Sequence, residues 1–250
     1  MSHTLGLPSA IRACLFDLDG VLTQTASLHA AAWKEMFDAF LRRRAEATGS
    51  AFEPFDSERD YHEYVDGKLR YDGVRSFLAS RGIELPQGQP GDPLGAETIV
   101  GLGDWKNELV LSLIRGGGVE TYPGSLRYLR AAEDAGLRRA VVSASKSARE
   151  ILLATGIDEL FEEVIDGVVA EREHLSGKPA PDTFLAGARA LDVEPAEAAV
   201  FEDALAGVEA ARAGNFSFIV GVNRSDQADA LLEHGADVVV SDLEELLEDE

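Results

Sequence analysis

Short runs of consecutive apolar residues, each ending in or bordered by polar residues, recur along the chain: residues 13–17 (ACLFD), 139–143 (RAVVS), 199–203 (AVFED), 216–222 (FSFIVGV) and 236–240 (ADVVV). Helical periodicity fills the intervals at residues 125–135, 148–155, 181–191 and 205–213. An unbroken apolar strand is one buried on both faces. Its alternation with amphipathic helices predicts a parallel sheet covered on both sides, an α/β fold.

Residues 25–118 break this rhythm. They hold helical stretches at 28–44, 71–81 and 104–115 but no buried strand, and residues 85–95 (LPQGQPGDPLG) are a loop by composition. The run RGGG at 115–118 reads as a flexible connector. The expected organisation is a core domain built from residues 1–24 and 119–250, with a mainly helical domain, 25–118, inserted after the first strand. An insertion at a strand end is placed to cover a site there. The acidic end of the chain, residues 242–250, reads as a solvated helix end.

Composition narrows the functional classes. With 23 basic and 45 acidic residues the formal net charge is −22, which disfavours nucleic acid and anionic membrane surfaces as partners. A phosphorylated substrate is still compatible, because exposed charges are screened beyond about 8 Å at physiological salt. Positive charge must then be concentrated locally where such a substrate binds. The chain has no apolar run long enough to span a membrane and no signal-peptide pattern at its start, so a cytoplasmic location is expected. A single cysteine, Cys14, sits in the first apolar run and is read as a small core residue.

Ligands of open α/β sheets bind outside the carboxyl ends of the strands, so the polar residues ending these strands carry the chemistry. The first strand ends in Asp17-Leu18-Asp19-Gly20, the second in Ser143-Ala144-Ser145-Lys146, a third in Glu202-Asp203, and Gly177-Lys178-Pro179 precedes a helix. That many carboxylates at one edge repel each other unless a cation is present. Hard oxygen ligands without cysteine or a histidine pair select Mg²⁺ over zinc. A carboxylate beside Mg²⁺ and a lysine is a workable nucleophile toward phosphorus.

DLDGVLT at 17–23, the serine ending the second strand, GKPAPD at 177–182 and FED at 201–203 together resemble the four motifs of the haloacid dehalogenase superfamily, in the right order. The resemblance implies a Rossmann-like parallel core with an inserted helical cap and an aspartyl-phosphate intermediate. Asp17 would be nucleophile and metal ligand. Asp19 would be general acid/base, its carbonyl also on Mg²⁺. Ser143 and Lys178 would hold phosphoryl oxygens, with Asp203 completing the metal shell and Glu202 a direct or outer ligand.

The stretches LFDLDGVLTQTASLHAAAW, VDGKLRYDGV, TYPGSLRYLR and VVSASKSA resemble the β-phosphoglucomutase-like subfamily. That likeness implies Thr25 in the hinge, His29 at the cap entrance, Arg70 on the substrate's distal phosphate with Lys68 as a neighbouring candidate, and Ala144, Ser145 and Lys146 lining the core side. It implies a sugar-phosphate mutase acting as a monomer on a small phosphorylated sugar. Gln24, Ser147 and Ala204 depart from the subfamily pattern, as do extra residues around 41–58 and 85–101. A phosphatase using the same residues is the alternative. A silent binding module is a third reading, but it predicts loss of Asp17, Asp19 or Lys178, and all three are present.

Overall fold

A computed structural model describes residues 3–117 and 119–249. Met1, Ser2, the last connector glycine (Gly118) and the last residue of the acidic tail (Glu250) lie outside the described residues. In chain order the first elements are β1 (His3–Thr4), β2 (Ala13–Phe16), α1 (Ala26–Thr48), a π-helical turn (Tyr61–Val65), α2 (Arg70–Ser80) and α3 (Ile99–Arg115). Then come α4 (Pro123–Asp134), β3 (Arg138–Val142), α5 (Ala148–Thr155), β4 (Glu163–Ile165), α6 (Gly167–Glu173) and α7 (Asp182–Ala190). The last are β5 (Ala198–Glu202), α8 (Leu205–Ala213), β6 (Phe218–Val222), α9 (Ala228–Glu233), β7 (Val238–Val240) and β8 (Glu248–Asp249). The chain divides into two compact units, Met1–Thr25 with Val119–Glu250, and Ala26–Gly118.

The first unit is built on a six-stranded sheet in the order β4-β3-β2-β5-β6-β7, every pairing parallel. The chain leaves β2 toward β3 and β4, then returns to place β5 on the other side of β2. This reversal puts the carboxyl ends of β2 and β5 at the crevice where such folds bind ligands. The strands read as continuous apolar runs because they are covered by packed side chains: Leu15, Val142, Val200 and Ile219 share one core with Phe184 of α7, Val208 of α8 and Phe216 of the α8–β6 connection. Cys14 is buried within β2.

Strand β4 and the acidic tail depart from the sequence expectation. Strand β4 has only three residues, too short for its apolar pattern to stand out beside Phe161 and Glu162. The acidic tail is not a solvated helix end. It makes a 3₁₀ turn, Leu243–Leu246, that buries Leu243 and Leu246, after which β8 pairs antiparallel with β1. Leucines spaced by three residues within an acidic run were the missed signal.

The second unit is helical, as its pattern predicts, around an aromatic core of Trp33, Phe37, Phe40, Phe55 and Phe77. The Phe37 ring lies 4.2 Å from Phe77 and 5.3 Å from both Trp33 and Phe55, centroid to centroid. Trp33 belongs to this core, as expected. Helix α3 begins at Ile99, ahead of the expected position 104, because Thr98 caps it by accepting from the Gly101 amide at 2.9 Å. Among the described residues no helix is long and apolar enough to cross a membrane.

Candidate active site

Beyond the end of β2, the Asp17 amide still donates to the Phe201 carbonyl at 2.9 Å, so Asp17 is held as a continuation of the strand. The chain then turns on itself. Gly20 donates to the Thr23 carbonyl at 2.8 Å, and the Thr23 amide and hydroxyl both donate to the Leu18 carbonyl at 3.0 and 3.1 Å. Gly20 has φ +87°, and a Cβ there would run into the Asp203 carboxylate. Glycine is therefore required twice over, for its left-handed backbone and for the close approach of the two acidic turns.

Lys178 reaches into this edge. Its ammonium donates to Asp17 Oδ1 at 2.6 Å, to Glu202 Oε1 and more distantly to the Val142 carbonyl. Lys178 is 4% exposed, Asp17 6% and Glu202 fully buried. Burial alone would lower the lysine's pKa, but Asp17 and Glu202 together hold it above the ordinary value. The Glu202 carboxyl is pushed up to about 7, first by burial and then by Asp17, against the opposing pull of Lys178. Its other oxygen accepts from the Ala204 amide at 2.9 Å, and a Cβ on Gly207 of α8 would collide with the carboxylate. Below the cluster, Phe16 and Phe201 stack at 4.5 Å.

The other core residues named from the sequence have partners of their own. Thr25 donates to Asp19 Oδ1 and lies 2.7 Å from the Thr23 hydroxyl. Ser143 is buried, its amide bonded to the Ile165 carbonyl and its hydroxyl accepting from the Ser145 amide at 3.1 Å. Ser145 in turn accepts from the Ser147 amide at 3.1 Å. The Ala144 carbonyl lies where a Cβ on Gly167 would meet it at 2.8 Å. Lys146 pairs with Glu171 at 2.7 Å.

In the second unit the structure assembles a cluster that the sequence showed only in part. His29 Nδ1 lies 2.7 Å from the ammonium of Lys106, which is buried and sits 4.8 Å over the Trp33 ring. Burial, then the cations Lys106 and Arg70, hold the His29 imidazole well below its usual pKa. Arg70 is 9% exposed and donates to Asp104 at 3.1 Å and to Asn107 Oδ1 at 2.7 Å. Tyr71 donates to the same Asp104 oxygen at 2.8 Å. Lys68 donates to Ser76 Oγ at 3.0 Å and to the Glu63 carbonyl at 3.3 Å. Lys106, Asp104 and Asn107 were missed. Their spacing on α3 was the available signal, but polar residues on a helix ordinarily mark a solvated face.

Among the described residues no three His, Cys, Asp or Glu side chains converge tightly enough to hold an ion by themselves. The donors at the β2 and β5 ends are carboxylate and carbonyl oxygens, without thiol or imidazole, and the Gly20 cradle admits the Asp203 carboxylate against the first turn. That set fits Mg²⁺, which binds through one or two carboxylates and takes its other ligands from water and phosphate.

The profile of the family described as "Hydrolase: haloacid dehalogenase-like hydrolase" matches residues 11–215. A relative from Mycobacterium bovis named beta-phosphoglucomutase is 59% identical over 249 residues, 98% of this chain and 95% of that protein. The beta-phosphoglucomutase of Bacillus subtilis is 33% identical over 236 residues, 94% of this chain and 92% of its own. The solved structure of beta-phosphoglucomutase from Clostridium difficile matches with a TM-score of 0.73 at 28% identity, covering 94% of this chain and 93% of that one. With four motifs in order, three at strand ends and one ahead of α7, and relatives that span both chains almost completely, the chain belongs to the haloacid dehalogenase-like hydrolase family.

Proposed function

We propose that this chain is a Mg²⁺-dependent phosphomutase that interconverts β-D-glucose 1-phosphate and glucose 6-phosphate through a phosphate ester on Asp17. The observation that carries the reading is the buried Asp17–Lys178–Glu202 cluster at the carboxyl ends of β2 and β5. It presents a carboxylate with a fixed cation beside it, as attack on a phosphoryl group requires. The 59% identity to a relative named beta-phosphoglucomutase turns that general chemistry toward a mutase.

In this account Asp17 Oδ attacks phosphorus, the bond from phosphorus to the sugar oxygen breaks, and Asp19 gives that oxygen its proton. The Thr25 hydroxyl fixes the Asp19 carboxyl for the transfer. Lys178 and Ser143 hold the phosphoryl oxygens. In the other half-reaction Asp19 takes the proton from the free hydroxyl of a bound sugar monophosphate, which attacks the phosphoaspartate, gives the bisphosphate and frees Asp17. The bisphosphate then reacts at its other phosphate. Mg²⁺, held by the Asp17 and Asp203 carboxylates and the Asp19 carbonyl, supplies charge neutralisation when bound. Glu202 acts through Lys178. Arg70, its fork oriented by Asp104 and Asn107, is assigned to the phosphate that is not reacting. Lys68 is the neighbouring candidate for that phosphate, and His29, Ala144, Ser145 and Lys146 are assigned to the sugar and its oxygens. A cytoplasmic monomer without nucleic-acid or membrane partners completes the reading.

Hydrolysis of a sugar phosphate by the same residues, with water in place of the second hydroxyl, is the second reading, favoured by the description of the family as hydrolases. Phosphorus NMR separates the two. Protein, Mg²⁺, β-glucose 1-phosphate and a trace of glucose 1,6-bisphosphate should give glucose 6-phosphate without free phosphate. Stoichiometric free phosphate would establish the hydrolase instead, and no turnover by folded protein would contradict both.

A further inference from the structure

The turn after β6 touches both acidic turns of the first unit. Arg224 Nε donates to the Gly20 carbonyl at 2.7 Å, and Gln227 Nε2 donates to the Asp203 carbonyl at 3.0 Å. The turn is itself braced. The Gln227 amide donates to Asn223 Oδ1 at 2.9 Å, and the Asn223 amide donates to the Val240 carbonyl at 2.8 Å. Arg224 is further fixed by the Ser241 carbonyl at 2.6 Å, and its guanidinium carbon lies 3.5 Å from the centroid of the Tyr122 ring. Its Nη2 is buried and has no partner among the described residues, a cost the fold bears while keeping the Gly20 contact.

We propose that Arg224 and Gln227 are positioning residues that set the separation of the Asp19–Gly20 turn from the Asp203 turn, and so the span available to a divalent cation between them. The proposal rests on the assignment of the metal to Asp17, Asp19 and Asp203. Neither side chain touches the reacting atoms. Each holds the one carbonyl whose displacement would move its turn as a unit. The tolerance is small, because the Asp203 carboxylate already occupies the place a Cβ on Gly20 would take. Groups that orient ligands from behind commonly change metal affinity by about 10- to 100-fold when removed.

The test uses the full chain and Mn²⁺ as the probe, titrated by electron paramagnetic resonance, with kcat, KM and the melting temperature of the metal-free protein alongside. Gln227→Met and Arg224→Met should each weaken Mn²⁺ binding about 10-fold or more. Arg224→Lys, which retains one donor for the Gly20 carbonyl, should recover part of that loss. KM for the sugar phosphate should stay within about twofold of the parent, and kcat at limiting metal should fall with the affinity. Mn²⁺ affinity within twofold of the parent in both methionine variants overturns the proposal, even if their melting temperatures drop. Asp203→Asn separates the two levels of the argument. If it leaves Mn²⁺ affinity intact, the metal assignment is wrong and the proposal falls with it. If it abolishes binding while the methionine variants bind normally, only the positioning role is lost.

Discussion

Taking an ammonium out of water costs several kcal/mol unless its new surroundings replace the lost solvation. Lys178 meets that condition through Asp17 and Glu202, and its ammonium also lies 5.0 Å over the Phe184 ring. Removing the lysine leaves two buried carboxylates facing each other, so Lys178→Met should lower stability by about 3–5 kcal/mol, read from urea denaturation at neutral pH. An unchanged midpoint would show that the pair is not a structural element. His29 gives a pH test. Its folded pKa lies below the unfolded value near 6.5, so its contribution to stability is present above that value and is lost as pH falls. The denaturation midpoint should decline on the acid side of about pH 6.5, and His29→Asn should flatten that decline. His62, raised by its bond to Asp66, acts with the opposite sign, so the difference between parent and variant is the quantity to read. Residues at strand ends were legible from the sequence because strand ends are where such folds put their chemistry. Lys106 and Asn107 were not, because no local pattern shows that a polar helix face turns toward a histidine or an arginine from elsewhere in the unit.

At the scale of elements, short-range rules were reliable where an apolar run marked the strand and failed at β4, whose run is cut by Glu162 and Glu163. Strands β2, β3 and β5 follow from their apolar runs to within a residue at each start, and β6 and β7 each begin two residues after theirs. Strand β4 owes its place to pairing with β3, a long-range fact that its own residues do not encode. Helix α3 shows the converse. Glycines at 101 and 103 weaken the helical signal, so its start was placed too late, yet close packing requires them. A Cβ on Gly103 would lie 2.7 Å from the Tyr71 ring and 3.2 Å from Arg70 Cδ. Helix propensity alone predicts that Gly103→Ala stabilises by about 1 kcal/mol. The packing predicts destabilisation of about 1–3 kcal/mol instead, together with a weaker hold on Arg70. Thermal unfolding of the variant decides the sign.

For the whole molecule, the net charge of −22 and the functional reading are reconciled by placement. Few cations are needed if each is buried or held, and Lys178, Lys106 and Arg70 are all less than a tenth exposed. The division into a doubly covered sheet and a helical insertion was legible in the change of hydrophobic period from one stretch to the next. What the sequence left open was which polar residues of distant segments meet, as Lys106 meets His29 and Asp104 meets Arg70, since that depends on packing. The account stands or falls on a covalent phosphate at Asp17. Its most direct test is to react the protein with Mg²⁺ and glucose 1,6-bisphosphate, quench in acid, reduce the acyl phosphate with tritiated borohydride, which expels the phosphate and leaves labelled homoserine, and map the labelled peptide. The account predicts modification at Asp17 and none in Asp17→Asn, with turnover abolished in that variant. Label on another residue, or sustained turnover by Asp17→Asn, would contradict it.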